Sequence, residues 1–143
     1  MNLLNNKKVF ITESIWVSLL DEKHPKHTKT KQQFSDLLDG KYYLITSSYV
    51  IDSVLEELKT NCSKEIADRF LETIDRAALG NYIKIVWLSR RLRRSALNTY
   101  VNNDTKHLSF TLNILLMQQK NVTTVFTHNE ELYSSYDLQC ING

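Results

Sequence analysis

The stretch KKVFITESIWVSLL, from Lys7 to Leu20, decides the fold that the rest of the chain is expected to adopt. Its first part, Val9 to Ile11, is a short apolar run typical of a fully buried parallel strand. Thr12 follows and is able to cap a helix, and apolar residues then recur at helical spacing. A buried strand that turns directly into a helix opens a βαβ unit, in which chemistry sits beyond the carboxyl ends of the strands. Thr12 and the residues after it are therefore the first place to look for a functional site.

Beyond this opening, short apolar strands alternate with amphipathic helices in the order β-α-α-β-α-α-β-α-α-β-α. The later strands are predicted at Tyr42 to Thr46, Tyr82 to Leu88 and Val122 to Thr127, and Leu138 to Ile141 could add a fifth at the edge. Strands joined by long crossovers predict a parallel sheet with helices on both faces. We therefore expect one α/β domain over residues 1–143, a three-layer α/β/α sandwich with a mostly parallel sheet of four or five strands.

Composition excludes several classes of protein. With 143 residues, 42% of them hydrophobic, the chain is long enough for one domain with a substantial core. Three glycines and one proline exclude collagen-like and low-complexity chains. Eighteen Lys and Arg residues against sixteen Asp and Glu give a formal net charge of +2, so a surface that binds nucleic acid has to be local.

The two cysteines, Cys62 and Cys140, form no CxxC motif and no Cys/His pair at zinc spacing. Together with the lack of a recognisable secretory leader, this predicts free thiols in a reducing, cytoplasmic compartment. No apolar run approaches the ~20 residues of a membrane span. The expectation is a cytoplasmic protein with no membrane association.

Five segments together resemble a PIN domain, the fold of many metal-dependent ribonucleases and of VapC-type toxins. In order they are VFITESIWVSLL from Val9, the loop Pro25-Lys26-His27, TSSYVIDSVLEEL from Thr46, LSFT from Leu108 and VFTHNEEL from Val125. Taken in the same order, these segments resemble five motifs of the family, which are D-T-S-x-W, D-P-x-H, T-S-x-x-V-L-x-E, L-S-F-T-D and T-x-D-x-x-F. The resemblance spans nearly the whole chain and implies Mg²⁺ or Mn²⁺ held by three or four carboxylates at strand ends and on two helices.

The four positions at which the resemblance implies acidic ligands carry no acid in this chain. These positions are occupied by Thr12, Ser53, Leu112 and Asn129. Hydroxyl and amide oxygens are neutral and Leu112 offers no ligand atom, so a tight site for a hard divalent cation is not expected. The leading hypothesis is a degenerate, catalytically inactive PIN-like protein, a pseudonuclease without a cofactor, that acts by binding RNA or a protein partner.

Carboxylates next to three of these positions leave an enzymatic interpretation open. Glu13, Asp52 and Glu130 could form the relocated metal centre of a divergent, VapC-like Mg²⁺/Mn²⁺-dependent endoribonuclease. Against this, Glu13 and Glu130 fall in predicted first helical turns, where an acid suits the helix dipole. One residue turns a helical side chain by about 100°, so Asp52 should point away from Ser53. No two histidines have helical zinc spacing, and His128 is the one to watch because it lies beside these positions.

Two basic stretches are candidates for binding a phosphate backbone. The first consists of the arginines of one predicted helix, Arg90, Arg91, Arg93 and Arg94. The second, a polar loop and the helix after it, contains Lys26 and Lys29. A solvated helix face paired with nearby acids is the alternative interpretation of either stretch. Because apolar helices of PIN domains pair in dimers, the resemblance also implies a homodimer, and a purely structural or regulatory subunit is a third hypothesis.

Overall fold

The computed structural model describes residues 7–105 and 107–142 of the chain. Within them the strands are β1 (Lys8–Ile11), β2 (Tyr43–Ser47), β3 (Ile83–Val86), β4 (Thr124–Thr127) and β5 (Gln139–Asn142). The helices are α1 (Glu13–Leu20), α2 (His27–Asp39), α3 (Ser48–Asn61), α4 (Lys64–Leu79), α5 (Arg90–Val101), α6 (Leu108–Gln119) and α7 (Glu130–Ser134). None of the described helices is both long enough and apolar enough to cross a membrane.

The strands form one parallel sheet in the order β3-β2-β1-β4-β5. The chain first moves from β1 through β2 to β3, and then returns across the sheet to β4 on the other side of β1. Because such crossovers are right-handed, this reversal places α1 to α4 on one face and α5 to α7 on the other. The contacts agree, since α1 packs against α2, α3 and α4, while α5 packs against α6. The predicted α/β class and the parallel sheet, including its fifth edge strand, are confirmed.

Trp16 of α1 organises the core on one face of the sheet. Its ring centroid lies 5.5 Å from that of Phe34 and 5.8 Å from that of Phe70. The indole N–H donates to Thr46 Oγ1 at 3.3 Å, and that hydroxyl donates to the carbonyl of Ile11. The apolar spacing in the opening stretch is thus explained by a buried tryptophan that joins α1 to β1 and β2. Replacing such a residue by alanine typically costs about 3–5 kcal/mol.

Serine side chains cap the N-termini of α3, α4 and α5. The side chains of Ser47 and Ser89 accept from the backbone N–H three residues ahead. Gly40 follows the last residue of α2. The left-handed conformation, however, falls on the next residue, Lys41, with a φ of 59°. A lysine there stores strain that a glycine would relieve.

The third strand is shorter than predicted. It was expected from Tyr82 to Leu88, but β3 ends at Val86, and Trp87 is 77% exposed. The apolar run continues past the last strand residue, so hydrophobicity alone could not place the end. Trp87 therefore lies at the outer corner of the sheet instead of in its core.

Candidate functional site

A cleft of about 880 Å³ opens at the carboxyl edge of the sheet, where β1 and β4 lie side by side. β1 leads into a helix on one face and β4 into a helix on the other, so the chain leaves the sheet in opposite directions. Such a switch point leaves a crevice between the two connections, and open α/β sheets bind their ligands there. Thr12, Glu13 and Ser14 line the cleft from β1, and Thr127 to Asn129 line it from β4.

Thr12 occupies the N-cap position of α1 but makes no capping hydrogen bond through its side chain. Its backbone N–H and its Oγ1 both donate to the carbonyl of Phe126, at 3.2 and 3.0 Å. Its hydroxyl also lies 3.3 Å from Ser14 Oγ, which accepts from the backbone N–H of His128. The expected cap is therefore wrong, because the Thr12 side chain turns toward β4. The hydroxyl at the first acidic position of the family holds two strands together.

Glu13 is oriented by a buried amide. Asn113 Nδ2 donates to Glu13 Oε1 at 3.1 Å and to the hydroxyl of Tyr133 at 3.0 Å. Asn113 is only 1% exposed, and its Oδ1 has no hydrogen-bond partner among the described residues. Burial raises the pKa of Tyr133 well above its usual value; the hydrogen bond from Asn113 lowers it and the charge of Glu13 raises it. A carboxylate, an amide and a neutral phenol thus form one connected network.

Ser53, at the second acidic position, belongs to a neighbouring network of hydroxyl groups. The phenol of Tyr49 hydrogen-bonds both to Ser53 and to Ser109, which reaches the cleft from α6. Burial and then the charge of Glu13 raise the pKa of Tyr49, while the two serines lower it. Neutral hydrogen bonds therefore occupy this position, where the family resemblance implies a charged ligand.

Of the residues at the third and fourth acidic positions of the family, Asn129 lines the cleft and Leu112 does not. Asn129 lines the cleft, and its backbone N–H donates to Thr127 Oγ1 at 3.0 Å. Leu112 is buried and is not among the described residues that line the cleft. The next residue, Asn113, makes the contact to Glu13 instead. Sequence reasoning missed Asn113, although its i, i+4 spacing from Ser109 on α6 places both on one helix face.

Two of the three neighbouring carboxylates reach the cleft. Glu13 and Glu130 line it together with Glu57 and Glu131, whereas Asp52 is exposed on α3 and is not part of the described lining. In the part of the chain that the structure describes, no three His, Cys, Asp or Glu side chains are grouped so that they could hold a metal ion. A hard divalent cation needs several oxygens that converge on one point. The described residues do not fit such a centre.

A cluster around Ser18 ties the α1–α2 loop to the rim of the cleft. Ser18 Oγ lies 3.0 Å from the hydroxyl of Thr30 and 2.8 Å from Nε2 of His128. His27 Nδ1 lies 2.9 Å from the Ser18 carbonyl, which can only accept, so this nitrogen carries the proton. The ring of His24 stacks on that of His128, with centroids 5.9 Å apart. His128, noted from its place in the sequence, thus holds the loop against the site.

The candidate basic residues lie outside the cleft lining and are exposed. The arginines of α5 form no ion pair with any described residue, so pairing with nearby acids is not observed for them. Lys26 and Lys29 are exposed in the loop and helix that follow α1. Helix α5 begins at the same carboxyl edge as the cleft, but beside β3, two strands away from β1. The structure therefore separates the acidic cleft from the arginine surface.

Solved structures of VapC proteins show the same arrangement of strands and helices. VapC20 of Mycobacterium tuberculosis, a toxin that cleaves the sarcin-ricin loop, matches with a TM-score of 0.73 at 17% identity, over 90% of this chain and 95% of that one. This chain has the fold of VapC-type PIN domains. A second VapC-type match is VapBC2 of Rickettsia felis bound to a DNA fragment from its promoter, with a TM-score of 0.62 and 15% identity, over 95% and 98% of the two chains.

Sequence comparison also finds a VapC-type relative. Ribonuclease VapC1 of Aquifex aeolicus (strain VF5) is 24% identical over 132 residues, which cover 92% of this chain and 88% of that protein. No family model matches the chain. The resemblance drawn from the five sequence segments is confirmed at the level of the fold.

Proposed function

We propose that this VapC-like PIN domain does not cleave RNA and acts by binding it. The observation that carries the proposal is that neutral residues stand at the four acidic positions of the family, where Thr12 donates to Phe126, and that a neutral amide, Asn113, donates to the nearby Glu13. A metal-dependent nuclease needs charged oxygens around cations that activate water and stabilise the leaving oxygen. Replacing those oxygens by hydroxyl and amide groups removes the charge that would balance the cations.

The distribution of charge supports the arginine surface of α5, not the cleft, as the place where RNA binds. Four glutamates line the cleft, and without a bound divalent cation they repel phosphate groups. The arginines attract phosphates with an affinity that falls as salt rises. The relative VapC1 is a ribonuclease, which supports RNA as the class of ligand.

The first experiment separates binding from cleavage. Wild-type protein is incubated with labelled RNA in Mg²⁺ or Mn²⁺, and we expect RNA retention without cleavage. In the double variant Arg90→Gln/Arg94→Gln the negative slope of log affinity against log salt should become shallower by about 1.4, because each lost phosphate contact to a single strand contributes ~0.7. The control is Arg69→Gln/Arg76→Gln on α4, on the opposite face of the sheet, which should leave the slope unchanged. Unaltered binding by the α5 variant would refute the proposal.

A divergent Mg²⁺/Mn²⁺-dependent endoribonuclease is the second candidate. It is favoured by the glutamates that share the cleft, among them Glu13 and Glu130. Metal-dependent cleavage that Glu13→Gln and Glu130→Gln abolish would establish it and overturn the first proposal. Asp52→Asn is the matched control, because Asp52 is exposed outside the cleft lining and its loss should leave any such cleavage unchanged.

We also propose a protein partner and self-association. The Rickettsia felis structure contains a VapBC2 assembly on DNA, which supports a partner protein for this chain as well. For a homodimer, the supporting feature is an apolar patch of exposed side chains at the amino edge of the sheet, formed by Leu79, Tyr82 and Tyr43. Sedimentation of wild type and of Leu79→Glu/Tyr82→Glu tests this. A monomeric wild type would refute the homodimer.

A further inference from the structure

Trp87 is an exposed aromatic side chain beside the arginine surface. It lies in the connection between the end of β3 at Val86 and the start of α5 at Arg90, and it is 77% exposed. Trp16, the other tryptophan of the chain, is 1% exposed. Single exposed apolar residues are common, so exposure alone carries no meaning. The position of Trp87 next to four cationic side chains is what distinguishes it.

Two of the arginines, Arg90 and Arg91, lie in the first turn of α5, where they oppose the stability of their own helix. The side chain of Ser89 accepts from the N–H of Leu92 at 3.1 Å and so defines the N-terminus of α5. This end of a helix carries partial positive charge, and each cation near it costs about 0.3–1 kcal/mol. The first turn of α5 contains no acid to offset that cost. Arginines placed here without partners are better explained by an anionic ligand than by stability.

The arginines also share one side of the helix. At about 100° per residue, they fall within an arc of about 160°, with Leu92 on the opposite side. Leu92 is half-buried and packs against the core, so the arginine side faces solvent. Trp87 precedes Arg90 by three residues, which limits the distance between their Cα atoms to about 10 Å. An indole face and several guanidinium groups are therefore available to one ligand.

We infer that Trp87 and the arginines of α5 form a binding surface for single-stranded RNA, in which a base stacks on the indole of Trp87 and phosphates bind the arginines. Bases of a single strand can leave their neighbours and stack on an aromatic ring, whereas bases inside a duplex are already stacked. This inference rests on the proposed RNA-binding function, and adds the class of RNA and a contact outside the cleft.

The test uses the intrinsic fluorescence of the full chain. Wild-type protein is titrated with a uridine oligonucleotide and with an RNA duplex of equal length. The single strand should bind more tightly and quench tryptophan emission. In Trp87→Phe only the buried Trp16 emits, so quenching should disappear. Trp87→Ala should weaken binding about 5- to 150-fold at an unchanged salt slope, because stacking one base contributes about 1–3 kcal/mol and no phosphate contact is lost.

A matched control is Tyr136→Ala, which removes an aromatic side chain that is 45% exposed between α7 and β5, at the opposite edge of the sheet from β3. Its affinity for the oligonucleotide should equal that of wild type. Unchanged affinity of Trp87→Ala, or equal affinity of wild type for the duplex, would overturn this inference and leave RNA binding by the arginines intact. Failure of the wild type to retain either RNA would overturn the proposed function together with it.

Discussion

Replacing Asn113 by aspartate would place a second, buried carboxylate against Glu13, which lines the cleft. In the structure the amide donates to Glu13 Oε1 at 3.1 Å, and Asn113 is 1% exposed. The substitution removes the NH₂ donor and, when the new side chain is ionised, sets two like charges at about this distance. The variant should therefore be less stable than wild type, by an amount that depends on pH.

The size of the effect follows from this contact. Two unit charges 3.1 Å apart repel by about 5 kcal/mol at an effective dielectric constant of about 20. The introduced carboxyl avoids this repulsion by taking up a proton, and it can then donate to Glu13 as the amide does. Holding it protonated at pH 7, from an ordinary pKa of about 3.9, costs about 4 kcal/mol, at 1.36 kcal/mol per pH unit. At pH 5 the same cost is about 1.5 kcal/mol.

The sign follows from proton linkage. The folded state raises the pKa of the introduced carboxyl above its unfolded value, so the variant loses stability as pH rises above about 4. Denaturant unfolding of wild type and of Asn113→Asp at pH 5, 6 and 7 measures this. Asn98→Asp makes the same chemical change at an exposed position of α5 and should stay within about 0.5 kcal/mol of wild type. The contact between Asn113 and Glu13 would be refuted if Asn113→Asp lost no more unfolding free energy than Asn98→Asp. It would also be refuted if the loss for Asn113→Asp were the same at pH 5 and at pH 7.

Three further predictions concern backbone strain, alkaline pH and the loop over the cleft. Lys41→Gly should raise the free energy of unfolding by about 1 kcal/mol, because the left-handed φ of 59° strains an ordinary side chain. Asn121→Gly, at a φ of 57°, should stabilise the protein less than Lys41→Gly does, because asparagine tolerates the left-handed conformation. Equal increases in Tm for the two variants would contradict this explanation. Tyr133→Phe should cost about 1 kcal/mol near neutral pH. Because burial raises the pKa of Tyr133, wild type should lose stability once the pH passes 10.0, the ordinary pKa of a tyrosine, whereas Tyr133→Phe has no phenol to ionise. Urea unfolding at pH 8 and at pH 10.5 should therefore show that the difference in unfolding free energy between wild type and Tyr133→Phe becomes smaller at the higher pH. An equal difference at both pH values would contradict the burial of this phenol. Ser18→Ala removes the hydroxyl that contacts His128 Nε2 at 2.8 Å, and should cost about 1–3 kcal/mol and speed trypsin cleavage in the α1–α2 loop, whereas unchanged cleavage would count against this anchor.

The fold could be predicted because its signals are local. The run from Val9 to Ile11 is apolar at every position, and serine caps mark where β2 and β3 give way to helices. The prediction was wrong where apolar character continued beyond the sheet, as at Trp87. Whether a tryptophan after a strand is buried depends on which elements lie above it, and a strand at the edge of the sheet has fewer of them.

The site was predictable in its location but not in its contacts. The rule that ligands bind beyond the carboxyl ends of strands points to Thr12, and the cleft opens there. Motif alignment assigned the third position to Leu112, yet Asn113 contacts Glu13. Neighbouring residues on a helix point about 100° apart, so which of them faces the cleft depends on how the helix is rotated against the sheet. That rotation is set by packing across the whole domain, which a motif does not contain.

Under the proposed function without cleavage, the hydrogen bonds of the cleft also imply that a single introduced acid would not create a catalytic centre. Thr12 holds β1 against β4 through the carbonyl of Phe126, so an aspartate there would gain a charge and lose the hydroxyl, one of the two donors in this link. Glu13 is already bound by Asn113, and the two could turn toward a cation only if that pair separated. Because the neutral groups stabilise the fold at the same points where acids would hold metal, each acidic substitution should lower stability before it helps to build a metal site. We therefore expect that a working centre requires several coordinated substitutions, and that any single one produces a less stable protein with no gain in cleavage.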